Sequence, residues 1–382
     1  MMRTPLASER IQKVDSKTGI KVIQITSYPT PSTPFPYDWP CVTNDNSRLF
    51  FYCQRSGSRD APLDIWRCDT DGLNLFQLTE GGEGQAIARL TLDNSALYAI
   101  WKMDPKIWRI DAETGDSVVV TDLAPQFGTA HPVVGPSIMP DGRLLVGRGR
   151  GEGPIGGRSG FDWYTFDPDT GALETLPVEG TVLGLDFVRN RIVVNHDPYT
   201  LGYEPRDDGM RVFTNMNEVP MSTWTYDLDG GDEQFLSEWI YAHGTVLCGT
   251  GCIHGPGFPP NRCVWVTKPG EEPRKVAEGP YFWHSGGSFD GEWTVTDTNW
   301  PDLGLQFVHI PSGGFRTLCH AGATQDHSQF GHPHPGLSAD GRICVFGSDR
   351  TGVRQVYVAH ITDEFRESVI AGELDQPNDK WI

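Results

Sequence analysis

The chain has 382 residues, a formal net charge of −19 and 38% hydrophobic residues. That acidity disfavours nucleic acid and anionic membrane as partners, and no apolar run reaches the ~20 residues of a membrane-spanning helix. The eight cysteines stand mostly alone in apolar stretches (Cys53, Cys263, Cys344), as reduced core thiols do in a cytoplasmic protein. The first ten residues lack the apolar core of a secretory signal, which points the same way.

In chain order, Ile11–Thr26 reads as a pair of strands. Asn44-Asp45-Asn46 then precedes the apolar run Leu49–Tyr52, and the same arrangement returns along the chain. Asp93-Asn94 precedes Leu97–Ile100, Asp141-Gly142 precedes Leu144–Val146, and Arg189-Asn190 precedes Ile192–Val194. His243-Gly244, Asp290-Gly291 and Asp340-Gly341 precede three more such runs. A turn-and-strand mark recurring about every 50 residues signals one supersecondary unit per repeat. Later pieces of each unit are visible too. Asp64-Ile-Trp66 is followed by Phe76-Gln-Leu78, and Lys106-Ile-Trp108 by Val118-Val-Val120. Short alternating strands bounded by Gly, Asp, Asn and Pro make antiparallel hairpins, and long helical periodicity is absent. The fold class is therefore all-β, a seven-bladed β-propeller in which residues 1–382 form one domain. The N-terminal strands are expected to join the last blade and close the ring.

The densest chemistry lies near the C-terminal end, in Gln329-Phe-Gly-His332-Pro-His334-Pro. In an extended segment His332 and His334 share a face, and Gln329 can approach from the preceding loop. Imidazoles and an amide suit a divalent first-row metal. One repeat earlier, His284 stands six residues before Asp290, as His334 stands six before Asp340. Residues at matching places in adjacent blades meet at one end of a propeller, so His284 joins the candidate set. Cys248 and Cys252 have a zinc-like spacing, but no second pair follows them. Gly147-Arg148-Gly-Arg150 lacks the Lys-Ser/Thr ending of a phosphate loop.

These motifs together, Gln-x-x-His-Pro-His-Pro after His-x-x-x-Ser-x-Asp-Gly in a chain of seven repeats, resemble the oligogalacturonate lyases of polysaccharide lyase family 22, within the TolB-like propellers. The resemblance implies one manganese-type ion held by His284, Gln329, His332 and His334. It implies β-elimination on short oligogalacturonides or a related uronate oligosaccharide, yielding unsaturated uronates during pectin degradation. Arg211, in Gly-Met-Arg-Val-Phe, matches the arginine that neutralises the substrate carboxylate. The family's catalytic His position is occupied by Ser237 here, in Ser-Glu-Trp-Ile, and an unassisted Ser is a poor base at neutral pH. His196 stands first among the other possible bases, ahead of His131, Tyr203, His243 and His254. Two alternatives stay open: a metal-containing propeller enzyme for a different sugar acid, and a non-catalytic TolB-like binding propeller.

Overall fold

The structure, a computed structural model, describes residues 5–56, 61–81, 86–101, 104–129, 131–150, 160–196, 222–238, 263–279, 282–298, 303–325 and 331–372. Four short strands, Tyr203–Pro205, Arg211–Phe213, Val246–Leu247 and Cys252–Ile253, are described for their backbone.

The turns marked in the sequence share one backbone feature. Asn46, Asn94, Gly142, Asn190, Gly291 and Gly341 all take a left-handed φ, between 54° and 90°. Glycine enters that region without a steric penalty, and asparagine tolerates it better than other side chains. This explains why these two residue types recur there. The seventh mark, His243-Gly244, lies outside the described residues.

Each turn feeds an antiparallel meander. Four-stranded sheets run Ser32–Pro34, Arg48–Cys53, Asp64–Asp69, Phe76–Gln77, and then Ala86–Leu90, Ala96–Trp101, Asp104–Asp111, Ser117–Asp122. A third comprises Val133–Ile138, Leu144–Gly149, Phe161–Phe166 and Leu173–Leu176, and a fourth Thr181–Asp186, Arg191–His196, Ser222–Asp227 and Gln234–Glu238. Two hairpins follow, Val246–Leu247 with Cys252–Ile253 and Cys263–Val266 with Arg274–Glu278. Another four-stranded sheet comprises Ser285–Gly287, Trp293–Thr296, Leu305–His309 and Phe315–Cys319. The last comprises Gly336–Leu337, Ile343–Ser348 and Gln355–His360, on whose outer side Lys21–Gln24 and then Ile11–Val14 are added. The architecture is an all-β propeller. The described helices are short, and none is long and apolar enough to cross a membrane.

The apolar runs after the described turns are not the first strands of their sheets; they are second. The first strands are those that meet across neighbouring sheets, as Ser285–Gly287 meets Gly336–Leu337. A second strand is flanked on both sides and buried on both faces, so it carries the longest apolar run; Ile343–Ser348 is buried throughout. The first strands line the axis and include short, small-residue segments such as Ser285-Gly-Gly. At that crossing a Cβ on Gly286 would lie 2.7 Å from the Gly336 Cα and 2.8 Å from the Tyr37 carbonyl oxygen, so glycine is required.

Side chains on the sheet faces form the core, as where Trp293 stacks on Phe307 of the adjacent strand at 4.8 Å. The repeated turns gather at one end of the molecule and are tied to one another. Asn44 N–H donates to Asn94 Oδ1 (2.7 Å), Asn46 Nδ2 to Asp340 Oδ2 (2.7 Å), and Phe289 N–H to the Ala339 carbonyl (2.8 Å). Phe187 and Phe289, from turns of two different sheets, stack at 5.7 Å, and Trp39 lies 5.5 Å from each. The opposite ends of the first strands carry the histidines.

Candidate metal centre

His284 immediately precedes the first strand of its sheet, and His332 and His334 precede the first strand of the next. Because those first strands are neighbours, the three imidazoles converge. Their ring centroids are 4.0 Å apart for His284 and His334, 5.2 Å for His284 and His332, and 5.7 Å for His332 and His334. One ring nitrogen from each lies within 4.8 Å of the others. His284 is 1% exposed and His332 8%.

The convergence is not produced by strand alternation. Residues 331–335 are irregular and the strand begins only at Gly336. His334 has φ 48°, a left-handed backbone that a residue of its size rarely adopts. This kink, between Pro333 and Pro335, turns the His334 ring toward His284. Strain of this kind persists where surrounding contacts over-determine it and concentrates at functional sites.

Those contacts are explicit. Asp297, 1% exposed at the end of strand Trp293–Thr296, accepts from the His284 backbone N–H through Oδ1 (2.8 Å). Its Oδ2 lies 2.9 Å from His284 Nδ1 and accepts from the His334 backbone N–H at 3.2 Å. Burial alone would raise the Asp297 pKa. The His284 imidazole and the hydrogen bonds outweigh it and hold the carboxyl below the usual range. Burial, reinforced by His284, pushes the His334 imidazole down to about 2, so its ring is neutral, the form that ligates metal. Arg354, 5% exposed, donates from Nη1 to the His332 carbonyl (2.7 Å) and from Nε to Thr33 Oγ1 (3.1 Å). The Tyr37 ring, from the loop before the first sheet's second strand, stacks on His334 with centroids 5.5 Å apart and planes 12° off parallel.

The donor set suits a borderline divalent ion. Three imidazoles converge on one point, one is neutral by burial, and another is backed by a carboxylate on its far nitrogen, the usual outer partner of a metal-bound histidine. Gln329, the fourth expected ligand, lies outside the described residues.

His196 and Ser237 sit in the fourth sheet. His196 ends strand Arg191–His196. Its Nε2 lies 2.7 Å from Tyr226 Oη, and its ring stacks on Trp224 at 5.2 Å. Ser237 is 2% exposed, and its hydroxyl has no hydrogen-bond partner among the described residues. Ser237 pairs with Thr223, which pairs in turn with Asn195, whereas His196 pairs with Ser222 in the adjacent row. Adjacent rows point to opposite faces, so His196 and Ser237 do not act as a couple. Arg211 opens a strand paired with Tyr203–Pro205, in a hairpin inserted between His196 and Ser222; the Arg211 side chain lies outside the described residues, as do His243 and His254. The Arg148 and Arg150 guanidiniums face Asp162 at 3.7 and 2.9 Å, Arg55 pairs with Glu9 at 2.7 Å, and Arg350 covers the Tyr357 ring. These arginines brace turns.

Sequence reading missed Asp297, Tyr37 and Arg354. Asp297 was within reach. The hairpin register pairs Ser285 with Thr296, which sets His284 opposite Asp297. Tyr37 and Arg354 carry no local signal.

Fold and site thus define a β-propeller with a three-histidine cluster at the end opposite its repeated turns. No protein-family model matches the chain. It is 24% identical over 396 aligned residues to the oligogalacturonate lyase of Dickeya dadantii (strain 3937), covering 91% of this chain and 95% of that one. Among solved structures it resembles an oligogalacturonate lyase from Vibrio parahaemolyticus (TM-score 0.68, 17% identity, 95% of this chain and all of that one). It equally resembles an oligogalacturonate lyase in complex with manganese (TM-score 0.68, 18% identity, 96% of this chain and all of that one). The resemblance read from the motifs is borne out, and it extends over nearly the whole chain.

Proposed function

We propose that the protein is a metal-dependent lyase that cleaves short oligogalacturonides, or a closely related uronate oligosaccharide, by β-elimination. The observation that carries this reading is the convergence of His284, His332 and His334, in a chain similar along its length to oligogalacturonate lyase. His284, His332 and His334, with Gln329, would hold a divalent ion, manganese foremost, since a structurally similar oligogalacturonate lyase is found in complex with manganese. When bound, the ion supplies positive charge beside the uronate carboxylate.

The chain's own residues do the rest. The C5 proton of a uronate is α to a carboxylate and only weakly acidic, so charge must be stabilised as it leaves. In this reading Arg211 would neutralise the carboxylate and a base would take the proton. The C4–O4 bond then breaks, a C4=C5 double bond forms, and the departing oxygen takes up a proton. Topology favours His196 as the base. His196 and the hairpin carrying Arg211 leave the fourth sheet at the end away from its Asn190 turn, and the three histidines stand at that same end of their sheets. Ser237, buried and without a partner among the described residues that could take its proton, is not the base in this reading.

The same reading takes the chain as a ring of seven blades. Six sheets have four or more strands. The hairpins between Val246 and Glu278 would form the fifth blade, since Val246–Leu247 lies against both Thr181–Asp186 and Ser285–Gly287. The strands Ile11–Val14 and Lys21–Gln24 would close the ring on the last blade.

The test is the ultraviolet absorbance of the unsaturated uronate, measured on digalacturonate with Mn²⁺ and with a chelated control. Absorbance growth that depends on metal supports the lyase. A flat trace from protein that has bound Mn²⁺ removes this substrate and leaves the sugar-acid alternative that the Ser237 substitution favours.

A further inference from the structure

We propose that Asp297 is the positioning residue of the histidine cluster: one buried carboxylate that fixes the tautomer of His284 and the left-handed backbone of His334. The inference rests on the reading of the cluster as a metal centre, and it concerns a residue outside the ligand set.

The geometry supplies both halves. Oδ1 of Asp297 is taken by the His284 backbone N–H at 2.8 Å, and Oδ2 faces His284 Nδ1 at 2.9 Å. An ionised carboxylate can only accept hydrogen bonds. Nδ1 of His284 must therefore carry the ring proton, which leaves the Nε2 lone pair for an ion. The backbone N–H of His284 and its ring are held by the same carboxylate, so the imidazole is fixed in orientation as well as tautomer.

The second half concerns the backbone of the next blade. His334 lies between two prolines, so its own N–H is the single backbone donor of the triplet Pro333-His334-Pro335. That N–H donates to Asp297 Oδ2 at 3.2 Å, with His334 at φ 48°. Asp297 thus ties two blades through one side chain, and both ends of the tie are histidines of the cluster. At 1% exposure water does not compete for its oxygens.

The test uses Asp297→Asn, which keeps the size of the side chain. In the variant an amide oxygen in the Oδ1 place would still accept from the His284 N–H, while an NH₂ in the Oδ2 place would face both His284 Nδ1 and the His334 N–H, so the hydrogen bond to His334 would be lost. An NH₂ donor there requires the ring proton to move to Nε2. Two readouts separate this from a loss of fold. Histidine-selective ¹⁵N spectra of the metal-free protein, with the His284 signal identified from His284→Gln, report the tautomer directly. Calorimetric titration with Mn²⁺ reports affinity. The expected results are an Nδ1–H tautomer in the wild type, an Nε2–H tautomer in Asp297→Asn, and Mn²⁺ binding weakened by about 10–100-fold. Wild-type His284 found as the Nε2–H tautomer overturns the proposal, as does an Asp297→Asn protein whose tautomer and affinity match the wild type. Should the variant not fold, the wild-type tautomer alone decides. Should Mn²⁺ fail to bind the wild type, the metal reading falls, while the ¹⁵N spectra still accept or reject the positioning role.

Discussion

His284 and His196 stand at corresponding ends of their sheets, and each has a polar partner on a ring nitrogen. The partners differ. His284 faces a buried carboxylate and meets two further imidazoles, whereas His196 faces the phenol of Tyr226 and stacks on Trp224. Burial, with Glu233 beside it, raises the Tyr226 phenol above its usual range, so that partner stays neutral at physiological pH. A carboxylate on the far nitrogen fixes the tautomer and orientation of an imidazole that faces an ion. The His196 imidazole instead has a neutral phenol at hydrogen-bond distance and an indole against its face. The same residue type at the same height in the fold is thus set for different chemistry by what touches its far side.

The largest expected effect comes from the cluster. His284→Ala should abolish lyase activity and weaken Mn²⁺ binding by at least about 100-fold, read by titration of the metal-free protein. His196→Ala should lower kcat by about 10²- to 10⁴-fold, the range of a lost general base, and leave Mn²⁺ affinity within about twofold. If affinity falls in parallel with kcat, the two histidines belong to one site and the contrast between them is lost. The Ser237 position gives a smaller effect. Replacing a 2% exposed serine by the larger imidazole should cost about 1–3 kcal/mol of stability in Ser237→His, seen as a lower Tm without a gain in rate. Ser237→Ala should leave both unchanged, since the hydroxyl has no partner among the described residues to lose; a fall in kcat for Ser237→Ala would return Ser237 to the catalytic set.

The smallest effect belongs to the turn end of the molecule. Asp45 Oδ1 accepts from Thr43 Oγ1 at 2.6 Å and from the Ser47 N–H at 3.0 Å, and the Thr43 hydroxyl foremost lowers its pKa from 3.8 to about 2. A depressed carboxyl contributes stability at any pH above its unfolded value and loses it as pH falls through the folded one. The Tm of Asp45→Asn should therefore lie about 1–2 °C below wild type at pH 7, because the site is exposed and screened. The gap should close between about pH 4 and pH 2. A gap unchanged at pH 2 would mean that the turn does not depend on the charge of Asp45.

The two ends of the propeller were not equally legible. The turns were readable because left-handed φ selects Asn or Gly wherever it occurs, and six of the seven marks show that backbone. The second strands were readable because burial on both faces demands an unbroken apolar run. The first strands were not readable in the same way, because segments as short as Ser285–Gly287 and Gly336–Leu337 carry little pattern. His284, His332 and His334 were found from equal offsets to the turns, which worked because blades are copies of one unit. The assumed alternation of His332 and His334 on an extended strand did not hold; the kink at His334 brings them together instead.

The sequence by itself determined the class of fold, the period of its repeat and the identity of the converging histidines, because each depends on local backbone preference or on position within a repeating unit. Only the tertiary structure decided how those histidines are held. Asp297 reaches His334 across a blade boundary, Arg354 grips the His332 carbonyl, and Tyr37, from near the start of the chain, stacks on a histidine near its end. Such contacts join residues up to about 300 positions apart, and they exist only once neighbouring blades have packed and water has been excluded from the space between them.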